Sequence, residues 1–124
     1  MKAAAFAAAA ALIISALPGA AAAMSVQEFL TTANRIPRNP TALLRSDTRR
    51  LINEIGGAFR GVRDDQAAAK AAGRRPATCI PEGKISLSAG QILDRFNAIP
   101  AQRRNISVNQ AIREWMGERH PCPA

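Results

Sequence analysis

The two cysteines, Cys79 and Cys122, constrain the fold of this chain more than any other feature of its sequence. Each lies beside prolines, in the stretches TCIPEG and HPCPA, and proline fixes φ where a helix has to end. In an oxidising compartment these two cysteines can form one intramolecular pair. That bridge would close a loop of about 44 residues and contribute about 4 kcal/mol in the chain-entropy model. The expected disulfide therefore depends on where the protein resides.

The first 23 residues, MKAAAFAAAAALIISALPGAAAA, have the layout of a secretory signal peptide. One cation, Lys2, precedes an apolar run that is shorter than the ~20 residues that span a bilayer. Small residues before Met24 predict cleavage after Ala23. We expect residues 24–124 to form a single domain in the periplasm or outside the cell, with no integral membrane segment after cleavage. A retained membrane anchor is the alternative.

Oxidising surroundings favour a structural disulfide, Cys79–Cys122, over the other roles of cysteine. A redox role is less expected because the chain has no C-x-x-C, and covalent haem attachment would need C-x-x-C-H. A metal site could combine both cysteines with the single histidine, His120, but it would have three ligands at most. We therefore expect no metal and no cofactor.

The chain is strongly basic, with 17 Lys and Arg against 9 Asp and Glu and a formal net charge of +8. Nucleic acid is not an expected partner, because sequence-tolerant binding uses aromatic platforms and the chain has one Trp, no Tyr and four Phe. Export would also remove the protein from most nucleic acid. Two interpretations remain: a solvated basic surface, or attraction to an acidic lipid, polysaccharide or protein.

Three segments begin with the signature of a helix N-terminus, a serine followed three residues later by Glu or Gln. These capping boxes are Ser25–Glu28, Ser88–Gln91 and Ser107–Gln110. No segment alternates with period 2 over more than a few residues, and no internal repeat is present. The sequence therefore predicts an all-α fold, a small helical bundle with one disulfide that closes the C-terminal helical hairpin.

The longest predicted helix begins near Ser46, which can act as its cap. Its apolar stripe has the helical period and consists of Leu51, Ile55, Phe59 and Val62, with Ile52 alongside. Gly56 and Gly57 interrupt this helix and would permit either close packing or a kink. After Asp64 the stripe gives way to alanines and could protrude from the body until the stop at Gly73.

The last helix carries Trp115, which we expect to be the anchor of the hydrophobic core. Catalytic motifs are absent: the sequence has no G-x-S-x-G, no H-E-x-x-H and no phosphate-binding glycine loop. His120 has no evident nucleophile beside it in the sequence, so a capping or surface role is expected. We expect a protein that is not an enzyme.

The stretch from Cys79 to Cys122 resembles the C-terminal motif of the Tai-like immunity family. The features that carry the resemblance are CIPEG, GQIL, AIPAQRR, NQAIREWM and the closing HPCP. The resemblance implies an exported α-helical protein with a disulfide, often a homodimer, that plugs the active-site groove of an amidase effector delivered by type VI secretion. It covers less than half of the chain, and the long first-half helix departs from the family pattern.

A groove-blocking protein needs a rigid, protruding element, and two arginine pairs lie on candidate elements. Arg74 and Arg75 approach Cys79, and Arg103 and Arg104 lie in the turn IPAQRRN. Arginine offers a planar fork that suits carboxylates, so both pairs are predicted partner-binding residues. The alternatives are an envelope helical protein with another partner, or a periplasmic chaperone of the acid-stress type. Such chaperones act through carboxylates, and the small number of carboxylates here argues against one.

Overall fold

A computed structural model describes residues 23–83 and 85–123, so the predicted leader lies outside the described residues except for Ala23. In this part of the chain the structure is helical, without a β-strand, which confirms the prediction of an all-α bundle. The α-helices are α1 (Val26–Asn34), α2 (Ser46–Ala71), α3 (Ala89–Asn97) and α4 (Val108–Arg119). Two 3₁₀ helices, Pro40–Leu44 and Ala101–Arg103, precede α2 and α4.

Serine side chains cap three of the α-helices as the sequence predicts. Ser25, Ser88 and Ser107 each accept a hydrogen bond from the backbone N–H three residues on, over 3.0 to 3.1 Å. Only Ser88 has the full capping box, because Gln91 returns a hydrogen bond to its backbone N–H. The prediction of a Ser46 cap is wrong: Ser46 is the first helical residue, and Arg45 precedes it without a side-chain cap.

The helices α2 and α4 form the main pair of the bundle. They run in the same direction, because Asp65 pairs with Arg113 and, farther along both segments, Arg75 contacts the carbonyl of Cys122. Because α2 and α4 run in the same direction, the chain that connects them has to return along the bundle, and this return contains α3. The disulfide joins the segments that follow α2 and α4, and it closes the part of the chain that contains α3 and α4, as predicted.

The hydrophobic core draws on all four helices and on Ile80 in the connection after α2. Its fully buried side chains are Phe96, Ile112, Met116, Val26 and Val108. The rings of Phe29 and Phe96 meet edge to face with their centroids 5.1 Å apart, a favoured aromatic geometry. These contacts place α1 and α3 against the α2–α4 pair.

The expectation that Trp115 anchors the core is wrong. Trp115 is only partly buried, and the Arg95 guanidinium lies 5.9 Å from the centroid of its ring. Its neighbours Ile112 and Met116 fill the centre of the core instead. An indole at the edge of the bundle keeps part of its ring in water and can attract the arginine by a cation–π interaction.

The second half of α2 does not protrude, contrary to the prediction. Ala69 is 5% exposed, and the chain after Pro76 folds back along this half of the helix. The two central glycines do not serve the close approach of another helix. A Cβ at Gly56 or Gly57 would meet only the guanidinium of Arg60, at 3.5 and 3.8 Å.

The N-termini of α1 and α4 lie side by side and cap each other through backbone groups. The Val26 N–H donates to the Ile106 carbonyl at 2.9 Å, and the Val108 N–H donates to the Met24 carbonyl at 2.8 Å. A helix leaves its first N–H groups without internal partners, so this reciprocal arrangement, which we call the paired caps, satisfies one on each helix. Met24 is 4% exposed, so its side chain belongs to the hydrophobic core.

Candidate interaction surfaces

The disulfide end of the molecule comprises residues 75–83 and 120–123 with the last turns of α2. Cys79 and Cys122 are bonded, with their Cα atoms 4.9 Å apart, and the Cys79 N–H donates to the His120 carbonyl. Because the two sulfurs bond each other, they are not available as the thiolate ligands that a metal site with His120 would need. The observed role of this cysteine pair is structural.

Polar side chains of α2 bind the chain that follows Cys79. The Gln66 amide accepts from the Ile80 N–H at 2.8 Å and donates to the Ile80 carbonyl at 3.1 Å. One turn earlier, Arg63 donates to the Gly83 carbonyl at 2.7 Å. These contacts satisfy backbone groups that would otherwise lack a partner beside the core, and they fix the path of the connection.

The first predicted arginine pair divides into two different environments. Arg75 donates to the carbonyls of Cys122 and Pro123 at 3.1 and 2.9 Å, so it holds the last described residues against the bundle. Arg74 is exposed at the surface. Of this pair, Arg74 is the side chain that a partner could reach without disturbing contacts within the chain.

The second pair lies in the arginine turn, residues 100–106, and it divides in the same way. Arg104 donates to the carbonyls of Ile99 and Asn97 at 2.9 and 3.0 Å and so caps the C-terminal end of α3. Arg103 pairs with Glu114 at 2.9 Å, and half of its side chain remains exposed. The outward-facing cation of this turn is therefore Arg103.

The structure does not bring the two arginine pairs into one site. The Gln27 N–H at the start of α1 donates to the Arg104 carbonyl, so the arginine turn lies at the N-terminal end of α4. Arg75 contacts residues that follow the C-terminal end of α4. The 12 residues of α4 separate these ends by about 18 Å, at 1.5 Å per residue.

An open apolar groove lies between α2 and the chain that leads into α3. It has a volume of 270 Å³ and is lined by Ile55, Phe59, Arg63, Ile85, Leu87 and Ile92. The predicted stripe of α2 thus divides: Leu51 and Val62 enter the core, while Ile55 and Phe59 are partly buried along the groove. The sequence does not show this division, because it depends on where the connection crosses the helix.

Two exposed leucines form a surface that the sequence interpretation missed. Leu43 and Leu44, at the end of the first 3₁₀ helix, are 70% and 79% exposed, and Ile52 on α2 is 58% exposed. In the segment TALLRSDTRR the leucines lack an apolar partner three or four residues away. That isolation is the one sequence signal that distinguishes them from the core stripes.

Five ion pairs lie on the surface of the described residues, and in one of them the pKa values of both partners are shifted. Arg95 on α3 binds both carboxylate oxygens of Glu118 on α4, at 2.6 and 3.0 Å. The hydrogen bonds and the attraction of the guanidinium lower the pKa of Glu118, and the same hydrogen bonds raise the pKa of Arg95. The pair joins α3 to α4 on the side where Arg95 covers Trp115.

The described residues contain no cluster of three or more His, Cys, Asp or Glu side chains that could hold a metal ion. No helix among them is long and apolar enough to cross a membrane. His120 follows α4 directly, and its Nε2 is buried without a hydrogen-bond partner in the described part of the chain. Comparison of the sequence and structure with protein families, with curated proteins and with solved structures finds no match in any of the three.

Proposed function

We propose that the protein is exported, loses its leader after Ala23, and acts in the periplasm or outside the cell as a helical binding protein. In this proposal it inhibits a protein partner by entering and blocking a groove of that partner. The observation that carries the proposal is the arginine turn, which presents a cation on a short element that is fixed at both ends.

Backbone hydrogen bonds make the arginine turn rigid before any partner arrives. Within the turn, the N–H groups of Arg103, Arg104 and Ile106 donate to carbonyls three residues back. The paired caps attach the end of the turn to α1, and the Arg104 side chain attaches it to α3. A preformed element loses little conformational entropy on binding, so this geometry suits an inhibitor that inserts into a groove.

The resemblance to Tai-like immunity proteins supplies the class of partner in this proposal, an amidase effector that cuts peptidoglycan. A basic inhibitor complements an acidic groove, and such complementarity mainly raises the association rate and the specificity. The disulfide supports a location outside the cytoplasm, where such bonds persist. We propose no catalytic activity and no cofactor for this chain.

The acid-stress chaperone alternative gains no support from the carboxylates. Five of the nine Asp and Glu residues form ion pairs with arginines. Protonation would break these surface ion pairs, whereas the chaperone mechanism requires carboxylates whose neutralisation releases a binding surface. An envelope protein with another partner remains the second hypothesis, and the test below distinguishes it.

The test measures peptidoglycan hydrolysis by an amidase effector encoded beside the gene, with increasing amounts of the purified protein. We expect inhibition at one equivalent. Arg103→Glu should weaken inhibition by about 30-fold, the loss of a hot-spot arginine. Arg74→Glu makes the same change of charge at the other end of α4 and is the matched control.

The variant changes Arg103 alone, because Arg104 holds α3 and its loss would disturb the fold. The Arg103–Glu114 pair is at the surface, and such pairs contribute about 0–1 kcal/mol. Circular dichroism of Arg103→Glu should match that of the parent. Full amidase activity in an excess of the unaltered protein would contradict the amidase proposal and favour another partner.

A further inference from the structure

The leucine turn, residues 40–44, displays apolar side chains that the fold does not bury. Single exposed leucines are common on protein surfaces, but Leu43 and Leu44 are adjacent and 70% and 79% exposed. Apart from Ile52, they are the large hydrophobic side chains that remain exposed among the described residues. Adjacent exposed apolar side chains with a polar rim are typical of protein or membrane contacts.

Local hydrogen bonds hold this turn in place. The Asn39 side chain accepts from the backbone N–H of Thr41 at 3.0 Å and also from the Thr41 hydroxyl. Arg49 reaches back from α2 to donate to the Leu44 carbonyl at 3.3 Å, and the Arg45 N–H donates to the Ala42 carbonyl. The leucines are therefore presented by an ordered turn.

Arginines flank the leucine turn along the chain. Residues 35–50 contain five arginines and one carboxylate, Asp47, which Arg45 binds at 3.0 Å. All five arginines are exposed. They are Arg35, Arg38, Arg45, Arg49 and Arg50. Glu28 on α1 binds Arg50, so the excess is three positive charges, more than a third of the net charge of the whole chain, and the surface suits an anionic partner.

A bilayer fits these observations better than the other two candidate occupants. A second copy of the chain would bring two sets of arginines together, and like charges at an interface repel. A protein partner would need an apolar pocket surrounded by carboxylates to receive two leucines on a projecting turn. The interface of an anionic bilayer already combines both properties, since acyl chains lie beneath negative headgroups.

We propose that the leucine turn and its arginines dock the protein on membranes that contain anionic phospholipid. Leu43 and Leu44 enter the boundary between headgroups and acyl chains, and the arginines contact the phosphates. The contact is peripheral, because no helix among the described residues could cross a bilayer. This inference does not rest on the amidase proposal, since the arginine turn is a different surface.

The experiment measures co-sedimentation of the chain from Met24 onward, which includes the whole described core. Its leader is absent, so apolar residues before Met24 cannot contribute. Vesicles of phosphatidylcholine mixed with phosphatidylglycerol are compared with vesicles of phosphatidylcholine alone. We expect binding to the anionic vesicles, at most weak binding to the neutral ones, and a decrease as salt is added, because salt screens exposed charges.

Two variants separate the contribution of the leucines to vesicle binding from that of the arginines. Leu43→Ser with Leu44→Ser keeps the net charge and should lower the partition constant at least about tenfold, the effect of removing one inserted leucine or more. Arg35→Gln with Arg38→Gln leaves the contact of Arg49 with the turn intact and should lower the partition constant about 25-fold, at about fivefold for each arginine. Arg74→Gln with Arg119→Gln removes the same charge elsewhere and should change it less than about threefold.

Because both leucines are exposed, the leucine variant should retain the circular dichroism spectrum and melting temperature of the parent. The unaltered protein and the arginine variants test the proposal even if the leucine variant misfolds. Absence of binding to the anionic vesicles overturns the proposal. Equal losses in both arginine variants would also overturn it, since the attraction would then be unspecific. Unchanged vesicle binding by a folded leucine variant, with loss of binding to a protein partner, would assign the turn to that protein instead.

Discussion

The two ends of α2 are held by different forces. At the C-terminal end, a disulfide, the Gln66 amide and the Arg75 guanidinium fix the neighbouring chain. At the N-terminal end, α2 begins without a side-chain cap, and the preceding turn holds two leucines in water. The difference indicates that one end stabilises the fold while the other presents a surface. Each of the following predictions tests this contrast by its effect on the free energy of unfolding.

The largest effect is expected from removing the disulfide. Cys79→Ser with Cys122→Ser should lower the free energy of unfolding by about 4 kcal/mol, because the unfolded chain then regains the freedom of a loop of about 44 residues. Denaturant unfolding with and without reductant measures this loss. Reductant should destabilise the parent to a similar degree and leave the double variant unchanged. A parent whose stability does not respond to full reduction would contradict the structural role of the bridge.

A smaller loss is expected for Gln66→Ala. Both backbone polar groups of Ile80 would lose their partner, and an unsatisfied buried group costs about 1–3 kcal/mol. Gln102→Ala, at an exposed position of the arginine turn, is the control and should stay within about 0.5 kcal/mol of the parent. Equal effects of the two substitutions would show that Gln66 does not hold the connection.

The smallest effect has the opposite sign. Gly56→Ala should raise the free energy of unfolding by about 1 kcal/mol, because the helix gains propensity and the new methyl meets only the Arg60 side chain. Gly73→Ala should lower it by about 1 kcal/mol, since Gly73 has a φ of 68° after the end of α2. Thermal and denaturant unfolding of both variants measure these two changes in the free energy of unfolding. Destabilisation by Gly56→Ala would contradict the open surroundings of this glycine.

The sequence predicts the local features of the fold well. The serine caps depend on residues three positions apart, and Gly73 with Pro76 marks the end of α2. Even there, tertiary contacts change part of the pattern. Glu28 pairs with Arg50 on α2 instead of returning to Ser25. A pattern within one helix contains no information about which arginine another helix will bring to it.

Apart from the Ser46 cap, which is a local error at the start of α2, the errors concern features that the packing of distant segments decides. Trp115 is the largest apolar side chain of α4, but the direction from which α2 approaches places Met116 in the centre instead. Ala69 is buried because the connection folds back over it. Arg104 looks like a surface cation in the sequence, yet it binds the carbonyls at the end of α3. The sequence therefore identifies the two arginine pairs as basic segments, but it does not show which of these side chains bind carbonyls within the chain and which remain exposed.

The paired caps have a consequence for the order of folding. They join Met24 and Val26, at the start of the described chain, to Ile106 and Val108, about 80 residues later. Contacts between such distant positions form only after a large loop closes, which slows folding. The paired caps therefore cannot form until nearly all of the chain is present, so the N-terminus of α1 stays uncapped by α4 in a shorter nascent chain. Under the proposed export, such late closure of the fold would help to keep the chain extended for transport.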